Sequence, residues 1–291
     1  MVELHCADCL EWLERAEGEE FDLTFFDPPF NQGKEYRFFD DSLPHDEYWD
    51  WMKQILERIY EFTSDGGAIY FMQREKNTEQ VLRILKEPGW SLQNAVIWKK
   101  MTSAVPSTNK FGKHYQIIAF ATKGKSPRVF HKLRVSPPLP PNYRFERENG
   151  IFVMDIWDDI RELTSGYFAG DEAIRDKNNE RFHKQQSPIA LLLRIVLSSS
   201  KPGDTIFDPF AGTGTTLVVA NQLQRRSVGI EINPENIKCI QQRLTSLRDA
   251  DDSERFRKDY ICTEDINHIW GSVLDNDRDE GEWERLLSEV S

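Results

Sequence analysis

Two periodicities of apolar residues alternate along the chain, and they predict strands and helices in turn. The short apolar run Phe21–Phe26 ends at a pair of prolines, which predicts a buried strand. His45–Phe62 has apolar residues at helical intervals, which predicts a helix. Further strands are predicted at residues 2–5, 68–72, 95–98, 115–121, 205–207 and 227–232. Further helices are predicted at residues 8–15, 78–85, 187–198, 215–223 and 234–244.

Strands that alternate with helices favour parallel pairing, because the intervening helix carries the chain back across the sheet. We therefore predict an α/β fold with a doubly wound, mostly parallel, seven-stranded sheet. Residues 65–67, Asp-Gly-Gly, predict a turn before one of these strands. Residues 123–185 have a proline cluster, many charges and weak periodicity, so we predict an insertion or a small recognition lobe there.

The composition indicates a folded protein and argues against the disordered, membrane-spanning and disulfide-rich classes. The chain has 291 residues, of which 39% are hydrophobic and 30% charged, so a folded core is expected rather than disorder. No run approaches the roughly 18 apolar residues of a membrane helix. The first residues lack the pattern of a signal peptide, and four cysteines do not form a disulfide framework. We therefore expect a cytoplasmic protein with no membrane partner.

Charge is distributed unevenly around the net value of −12. Residues 99–148 contain eleven basic and two acidic side chains, with aromatic residues between them. This pattern is typical either of a solvated loop or of a surface that follows nucleic-acid phosphates. Residues 249–291 contain 14 acidic and five basic side chains, and we assign no chemistry to this extension. Its spans 260–270 and 283–287 are apolar enough to dock as short helices.

A glycine-rich turn lies between the predicted strand and helix at residues 208–216, Asp-Pro-Phe-Ala-Gly-Thr-Gly-Thr-Thr. Such a turn allows a ligand to approach the main chain, and Glu231 ends the next strand, where an acid commonly accepts hydrogen bonds from a ribose. The pattern is neither G-x-G-x-x-G nor a phosphate loop. It therefore favours a nucleoside without phosphates, although an ordinary turn would also explain the glycines.

Asp27-Pro28-Pro29-Phe30 follows a buried strand, at the edge where open α/β sheets bind ligands. The Asp27 carboxylate and a main-chain carbonyl fixed by the prolines offer two acceptors, which suit an exocyclic NH2 group. Phe30 could stack on the base that carries this amine. The alternative is a purely structural role, in which the prolines end the strand and the aspartate caps it.

Together these two motifs resemble the β group of S-adenosylmethionine-dependent DNA amino-methyltransferases, which methylate N6 of adenine or N4 of cytosine. The catalytic motif comes first and the donor motif last, as in that group. The resemblance covers roughly residues 2–244. It implies a Rossmann-like methyltransferase sheet with an inserted target-recognition region. It also implies S-adenosylmethionine as cofactor, double-stranded DNA as partner, base flipping and direct methyl transfer.

The resemblance also implies roles for individual residues. The catalytic residues are Asp27, Pro28, Pro29 and Phe30, the last standing where the family usually has tyrosine. The cofactor-binding residues are Asp8, Cys9, Asp27, Gln186, Ser187, Asp208, Phe210, Gly212, Gly214, Thr215, Glu231 and Asn233. The DNA-binding residues are Lys110, Lys113, Lys123, Lys125, Arg128, Lys132 and Arg134. No metal is expected, because Cys6 and Cys9 form a single pair.

On this basis residues 1–123 form the catalytic half of the methyltransferase domain and residues 183–248 the S-adenosylmethionine-binding half. Residues 124–182 form the target-recognition insertion, and 249–291 the acidic C-terminal extension. A homodimer and a cognate restriction endonuclease are expected partners. Asp27 favours adenine, since the cytosine enzymes more often carry serine there, and N4-cytosine methylation is the first alternative. RNA or protein methylation and a non-catalytic binder are more distant alternatives.

Overall fold

The computed structural model describes residues 1–33, 41–100, 106, 108–136, 148–163, 170–182 and 185–271. Its strands are β1 Val2–Cys6, β2 Phe21–Phe26, β3 Thr63–Arg74, β4 Trp90–Lys99, β5 Tyr115–Lys123, β6 Arg134–Val135, β7 Ile151–Phe152, β8 Ile156–Trp157, β9 Thr205–Asp208 and β10 Arg226–Glu231. Its α-helices are α1 Cys9–Arg15, α2 His45–Phe62, α3 Thr78–Lys86, α4 Ile189–Ser199, α5 Thr215–Gln222, α6 Pro234–Thr245 and α7 Ile266–Trp270. Short 3₁₀ helices occupy Glu75–Asn77, Asp249–Asp251 and Ser253–Tyr260.

The main sheet has the strand order β1-β10-β9-β2-β3-β5-β4-β8. Strands β1, β10, β9, β2 and β3 are parallel neighbours, whereas β5 is antiparallel to both β3 and β4. The predicted α/β class and the mostly parallel sheet are confirmed. The described sheet has eight strands rather than seven, because the two-residue strand β8 pairs with the edge strand β4.

The predicted turn at residues 65–67 lies inside β3. Gly66 has a φ of +74°, and the pairing of β2 with β3 shifts register between Phe21 and Leu23. The residues therefore still interrupt the regular ladder, as a bulge within one strand rather than as the connection between two elements.

The hydrophobic core fills both faces of the sheet. Along β3, Tyr70 and Met72 contact the cluster that contains α4 and α5, while Ile69 and Phe71 contact the cluster that contains α2 and α3. This separation follows from the two-residue period of a strand. Helix α4 is buried on nearly all sides, which explains its almost wholly apolar sequence.

The proposed domain boundaries do not coincide with gaps in packing. Leu133 and Trp157, from the predicted insertion, belong to the same core cluster as α4. Tyr260 and Trp270, from the predicted extension, belong to it as well. The boundary at residue 248 therefore marks a change in charge along the chain, and the four-part division stays a prediction. The predicted helix at 260–270 is in part α7, whereas 283–287 lies outside the described residues.

The chain changes direction at the centre of the sheet. From β9 it passes through α5 to β10 on one side, while β2 lies on the other side of β9. Such a switch point leaves a crevice at the carboxyl ends of the strands, where ligands bind in open α/β sheets. None of the described helices has the length and apolar character needed to cross a membrane.

Candidate active site

A crevice of about 980 Å³ opens at this edge of the sheet. Both predicted motifs line it, since Asp27 follows β2 and Asp208 ends β9. Of the predicted site residues, those that line it are Asp8, Cys9, Asp27, Pro28, Pro29, Gln186, Ser187, Asp208, Phe210, Gly212, Thr215, Glu231 and Asn233. The structure therefore brings together stretches that are more than 180 positions apart in sequence.

Asp27 faces the wall of the crevice that precedes α4. The Ser187 hydroxyl donates a hydrogen bond of 3.4 Å to Asp27 Oδ2. This contact joins the predicted catalytic motif to the Gln186-Ser187-Pro188 segment across the opening of the site. A carboxylate held here can accept hydrogen bonds from an amine or stabilise a positive charge.

The two proline carbonyls of the motif are not equivalent. Tyr48 Oη donates to the Pro29 carbonyl at 2.7 Å, and Gln73 Nε2 donates to Tyr48 Oη at 2.9 Å. Gln73 is fully buried in β3, so its amide fixes the Tyr48 hydroxyl firmly. The Pro29 carbonyl is thus already engaged by Tyr48, and the role of the Pro28 main chain as an acceptor stays a prediction.

Phe30 does not reach the crevice. Its side chain is only 4% exposed and is not part of the crevice lining. The chain turns sharply after it, since Asn31 has a φ of +51° and the buried Asp41 carboxylate accepts hydrogen bonds from the Asn31 and Gln32 amides. Stacking of Phe30 on a base is therefore not prepared in this structure and stays a prediction.

Lys100 adds a positive charge near Asp27 that the sequence did not reveal. Burial lowers the pKa of Lys100 to about 7, while the charges of Glu162 and Asp27 act in the opposite direction. The Lys100 ammonium also lies 3.1 Å from the centre of the Trp98 ring. Lys100 and Asp27 are therefore close enough to interact electrostatically.

The donor-side motif is organised by Glu231. One carboxylate oxygen accepts a hydrogen bond from the Gly212 amide and the other from the Asn233 amide, each at 2.8 Å. Burial raises the pKa of Glu231, although these amides favour its charged form. Glu231 therefore holds the glycine turn in place and borders the crevice as a hydrogen-bond acceptor.

Asp208 is a second buried carboxylate in this half of the site. It accepts a hydrogen bond of 3.1 Å from the Phe210 amide and is 3% exposed. Burial raises the pKa of Asp208 to about 7, and the nearby charge of Glu231 adds to the effect. A cationic ligand in the crevice would favour the ionised form of both groups.

Gly214 contributes without lining the crevice. Its φ is +76°, and a Cβ atom there would lie 2.7 Å from the Ile240 side chain. Glycine is thus required both by the left-handed backbone at the start of α5 and by the close packing of α6. The predicted role of Gly214 in donor binding is consequently indirect.

Asp8 and Gln186 each have a local structural contact besides their place in the crevice. Asp8 caps α1 by accepting hydrogen bonds from the Leu10 and Glu11 amides at 2.9 and 3.1 Å. Gln186 Oε1 accepts a hydrogen bond from the Ile174 amide, and its Nε2 donates to the Glu172 carbonyl at 2.9 Å. Both side chains are therefore fixed in position.

An ion cluster behind the glycine turn supports the donor side. Asp251 is fully buried and pairs with Arg243 at 2.8 Å and with Arg248 at 2.6 Å. Burial opposes ionisation, but the two arginines outweigh it and hold the pKa of Asp251 below its usual value. Arg243 also donates to the Thr213 carbonyl, and Arg248 to the Glu172 carbonyl. The cluster thus links the glycine turn to Glu172, whose carbonyl also accepts a hydrogen bond from Gln186 in the crevice lining.

The predicted DNA-binding residues are divided between the two edges of the sheet. Lys110 and Lys113 precede β5, whose first residues pair with the ends of β3 and β4, so they lie on the crevice side. An ion pair of 3.5 Å joins Lys113 to Glu75, just after β3.

The other predicted DNA-binding residues do not join that surface. Lys123 donates to the Thr63 carbonyl, and Arg128 pairs with Asp22 at 2.8 Å and with Asp204 at 2.7 Å, all at the opposite edge. Lys125 and Lys132 also follow β5 toward that edge, and Arg134 stacks on Phe152 at 3.9 Å. These residues are therefore spread over two edges, because β5 carries its two ends to opposite sides of the sheet, and their role in DNA binding stays a prediction.

A family profile described as DNA methylase, for N6 and N4 methyltransferases, matches residues 21–242. DNA adenine methyltransferase YhdJ of Escherichia coli K12 is 30% identical over 256 residues, covering 81% of this chain and 80% of the relative. Type II methyltransferase M.HpaI of Haemophilus parainfluenzae is 28% identical over 266 residues, covering 91% of this chain and 80% of the relative.

Solved structures share the fold. The PvuII DNA methyltransferase, described as cytosine-N4-specific, has a TM-score of 0.60 at 18% identity and covers 93% of each chain. The M1.HpyAVI–SAM complex has a TM-score of 0.58 at 19% identity, covering 84% of this chain and 99% of that one. At these identities the likeness concerns the architecture of the sheet and its helices.

The ion cluster generates the first prediction. Asp251→Ala leaves Arg243 buried without its carboxylate, so we expect the free energy of unfolding to fall by about 3–5 kcal/mol. Asp249→Ala removes an exposed carboxylate from the same 3₁₀ helix and should change it by less than about 0.5 kcal/mol. Urea unfolding measures both, and equal losses would show that the cluster does not stabilise the fold.

The buried Asp208 carboxylate leads to a second prediction, which concerns how the stability of the protein depends on pH. Because its folded pKa is raised to about 7, the folded protein binds more protons than the unfolded chain between about pH 4 and pH 7. Stability from this group is therefore lost as pH rises through that window. Asp208→Asn should stabilise the ligand-free protein, and by about 2 kcal/mol more at pH 8 than at pH 5.

Urea unfolding at the two pH values measures this difference. Asp50→Asn, at an exposed carboxylate on α2, controls for the loss of a charge. A stabilisation by Asp208→Asn that is equal at pH 5 and pH 8 would contradict the prediction.

Proposed function

The chain belongs to the N6/N4 DNA methylase family, and we propose that it transfers a methyl group from S-adenosylmethionine to the N6 amine of adenine at a specific site in duplex DNA. The observation that carries this function is the shared crevice of Asp27 and Glu231, closed from one side by the Ser187–Asp27 contact. The site for the target base and the site for the methyl donor are therefore next to each other.

The chemistry of the crevice fits the donor. Glu231 is a buried acceptor of the kind that binds ribose hydroxyls, and the carboxylates of Asp208 and Asp27 suit a cation. S-adenosylmethionine supplies a methyl group on a sulfonium: attack by the amine forms the nitrogen–carbon bond, the carbon–sulfur electron pair remains on sulfur, and the nitrogen then loses a proton. The protein contributes position and charge stabilisation.

The base side of the site orients the amine. Asp27 accepts one N–H of the amine and the main chain at Pro28 accepts the other, which directs the nitrogen lone pair away from the ring. The Tyr48 and Gln73 hydrogen bonds hold the proline segment still for this purpose. A base in a duplex cannot reach such a crevice, so we propose that it is rotated out of the helix.

Mass spectrometry of nucleosides from DNA treated with the enzyme tests the assigned base. We expect N6-methyladenine, and the appearance of N4-methylcytosine alone would overturn the choice of adenine. Activity on RNA or protein without activity on any duplex would overturn the choice of DNA.

Two partners and a location extend the proposal. We propose a homodimer, which light scattering of the purified protein tests directly. We also propose a cognate restriction endonuclease, since M.HpaI is described as a Type II methyltransferase. We also propose a cytoplasmic location, since the relatives YhdJ and M.HpaI come from bacteria, whose chromosomes lie in that compartment.

The catalytic assignment generates a prediction. Asp27→Ala removes the side-chain acceptor for the amine, so we expect the turnover number to fall by at least about 100-fold. Donor affinity, measured by titration, should change by less than about threefold, because Glu231 remains for the ribose and Asp208 for the positive charge. Asp65→Ala, at an exposed carboxylate in β3, should leave turnover unchanged. A fully active Asp27→Ala enzyme would indicate a different catalytic group or a non-catalytic binder.

The distribution of the basic residues over two edges of the sheet leads to a prediction about DNA affinity. Lys110→Gln should weaken duplex binding and reduce the slope of log affinity against log salt by about one, because one phosphate contact is lost. Lys125→Gln removes an equally exposed lysine at the opposite edge and should alter neither quantity. Fluorescence anisotropy at several salt concentrations measures both. Identical effects would show that DNA contacts both edges.

A further inference from the structure

Arg181 is the one basic side chain among the described residues that line the crevice. Six acidic side chains share this lining: Asp8, Asp27, Asp176, Asp208, Glu231 and Glu235. Arg181 was not predictable from the sequence as a site residue, since it lies in a segment without clear periodicity. A single cation among several carboxylates is placed to bind the one part of a ligand that those carboxylates repel.

A short hairpin fixes the position of Arg181. Arg175 and Arg181 form an antiparallel bridge, and the Phe182 amide donates to the Ile174 carbonyl at 2.9 Å. At its tip the Asp176 carboxylate accepts hydrogen bonds from two backbone amides, those of Asn178 and Glu180. The Ile174 amide, which donates to Gln186 Oε1, ties the hairpin to the wall of the crevice.

The guanidinium of Arg181 is only partly satisfied. Its Nη1 donates to the Leu163 carbonyl at 2.5 Å. Its Nε and Nη2 atoms are buried and have no hydrogen-bond partner among the described residues. Burial lowers the pKa of Arg181, and the charge of Arg175 adds to this effect, so its surroundings leave the positive charge poorly compensated. Buried donors of this kind are costly unless a ligand or water satisfies them.

Nε and Nη2 lie on the same edge of the guanidinium plane. That edge presents two parallel N–H groups, which match the two oxygens of a carboxylate. S-adenosylmethionine carries one carboxylate, on its methionine part, beside the positive sulfonium and ammonium groups that suit the acidic lining. Resting on the proposed function, we infer that Arg181 binds the carboxylate of the methyl donor through its Nε and Nη2 atoms.

The test compares two adenosyl compounds, of which only one has this carboxylate. S-adenosylhomocysteine carries an aminobutyrate chain on its sulfur, whereas 5′-methylthioadenosine carries a methyl group there and so lacks both the carboxylate and the ammonium group. Their dissociation constants are measured by calorimetry for the wild-type protein, Arg181→Gln and Arg175→Gln. Arg175 is the matched control, because it lies opposite Arg181 on the hairpin but does not line the crevice.

We expect Arg181→Gln to weaken S-adenosylhomocysteine binding about tenfold or more, since a charge-assisted pair of hydrogen bonds is lost. Binding of 5′-methylthioadenosine should change by less than about twofold, and Arg175→Gln should leave both constants unchanged. Arg181→Lys keeps the charge but not the paired N–H groups, so its affinity for S-adenosylhomocysteine should fall between those of the wild type and Arg181→Gln.

Two results would overturn the inference. An equal loss for both compounds would show that Arg181 only shapes the crevice. Unchanged binding of both compounds, with weaker duplex binding, would assign the guanidinium to a DNA phosphate. A wild-type protein that binds neither adenosyl compound would instead contradict the proposed function, so the two failures are distinguishable.

Discussion

The site depends on the parallel pairing of β2 with β9 at the centre of the sheet. Each strand ends in a carboxylate-bearing segment, and because both strands point the same way, Asp27 and Asp208 meet at one edge. Residues from the two ends of the chain thereby share one crevice. Every other feature of the site, from the Glu231 hydrogen bonds to the Tyr48 contact, refines the geometry that this pairing sets.

Several charged side chains in and around the site are buried, and they differ in how well the protein compensates their charge. Glu231 is stabilised by backbone amides and Asp251 by arginines, so both remain usable as fixed charges in apolar surroundings. Asp208 and Arg181 are less completely compensated, and both border the crevice. A buried charge that lacks partners within the protein can find them in a bound ligand. Both of these groups lie on the walls of the predicted donor site.

Much of this arrangement was predictable from local sequence. The strand Phe21–Phe26 and the helix His45–Phe62 were predicted at their observed bounds, because apolar periodicity and the flanking prolines act locally. The glycine turn and Glu231 were predictable for the same reason. The supporting residues Gln73 and Asp251 were not, since their partners are distant in sequence and only the tertiary structure brings them together. The separation of the basic residues between two edges was not predictable either, because a one-dimensional charge count cannot show that β5 crosses the sheet.

The buried Asp251 cluster also affects the order in which the protein assembles. Asp251 follows every strand of the sheet in the sequence, yet it fixes Arg243 against the Thr213 carbonyl of the glycine turn. During synthesis from the N-terminus, the sheet can form before this carboxylate leaves the ribosome. We therefore expect the glycine turn to reach its final geometry only after residue 251 has emerged, later than the strands that carry it.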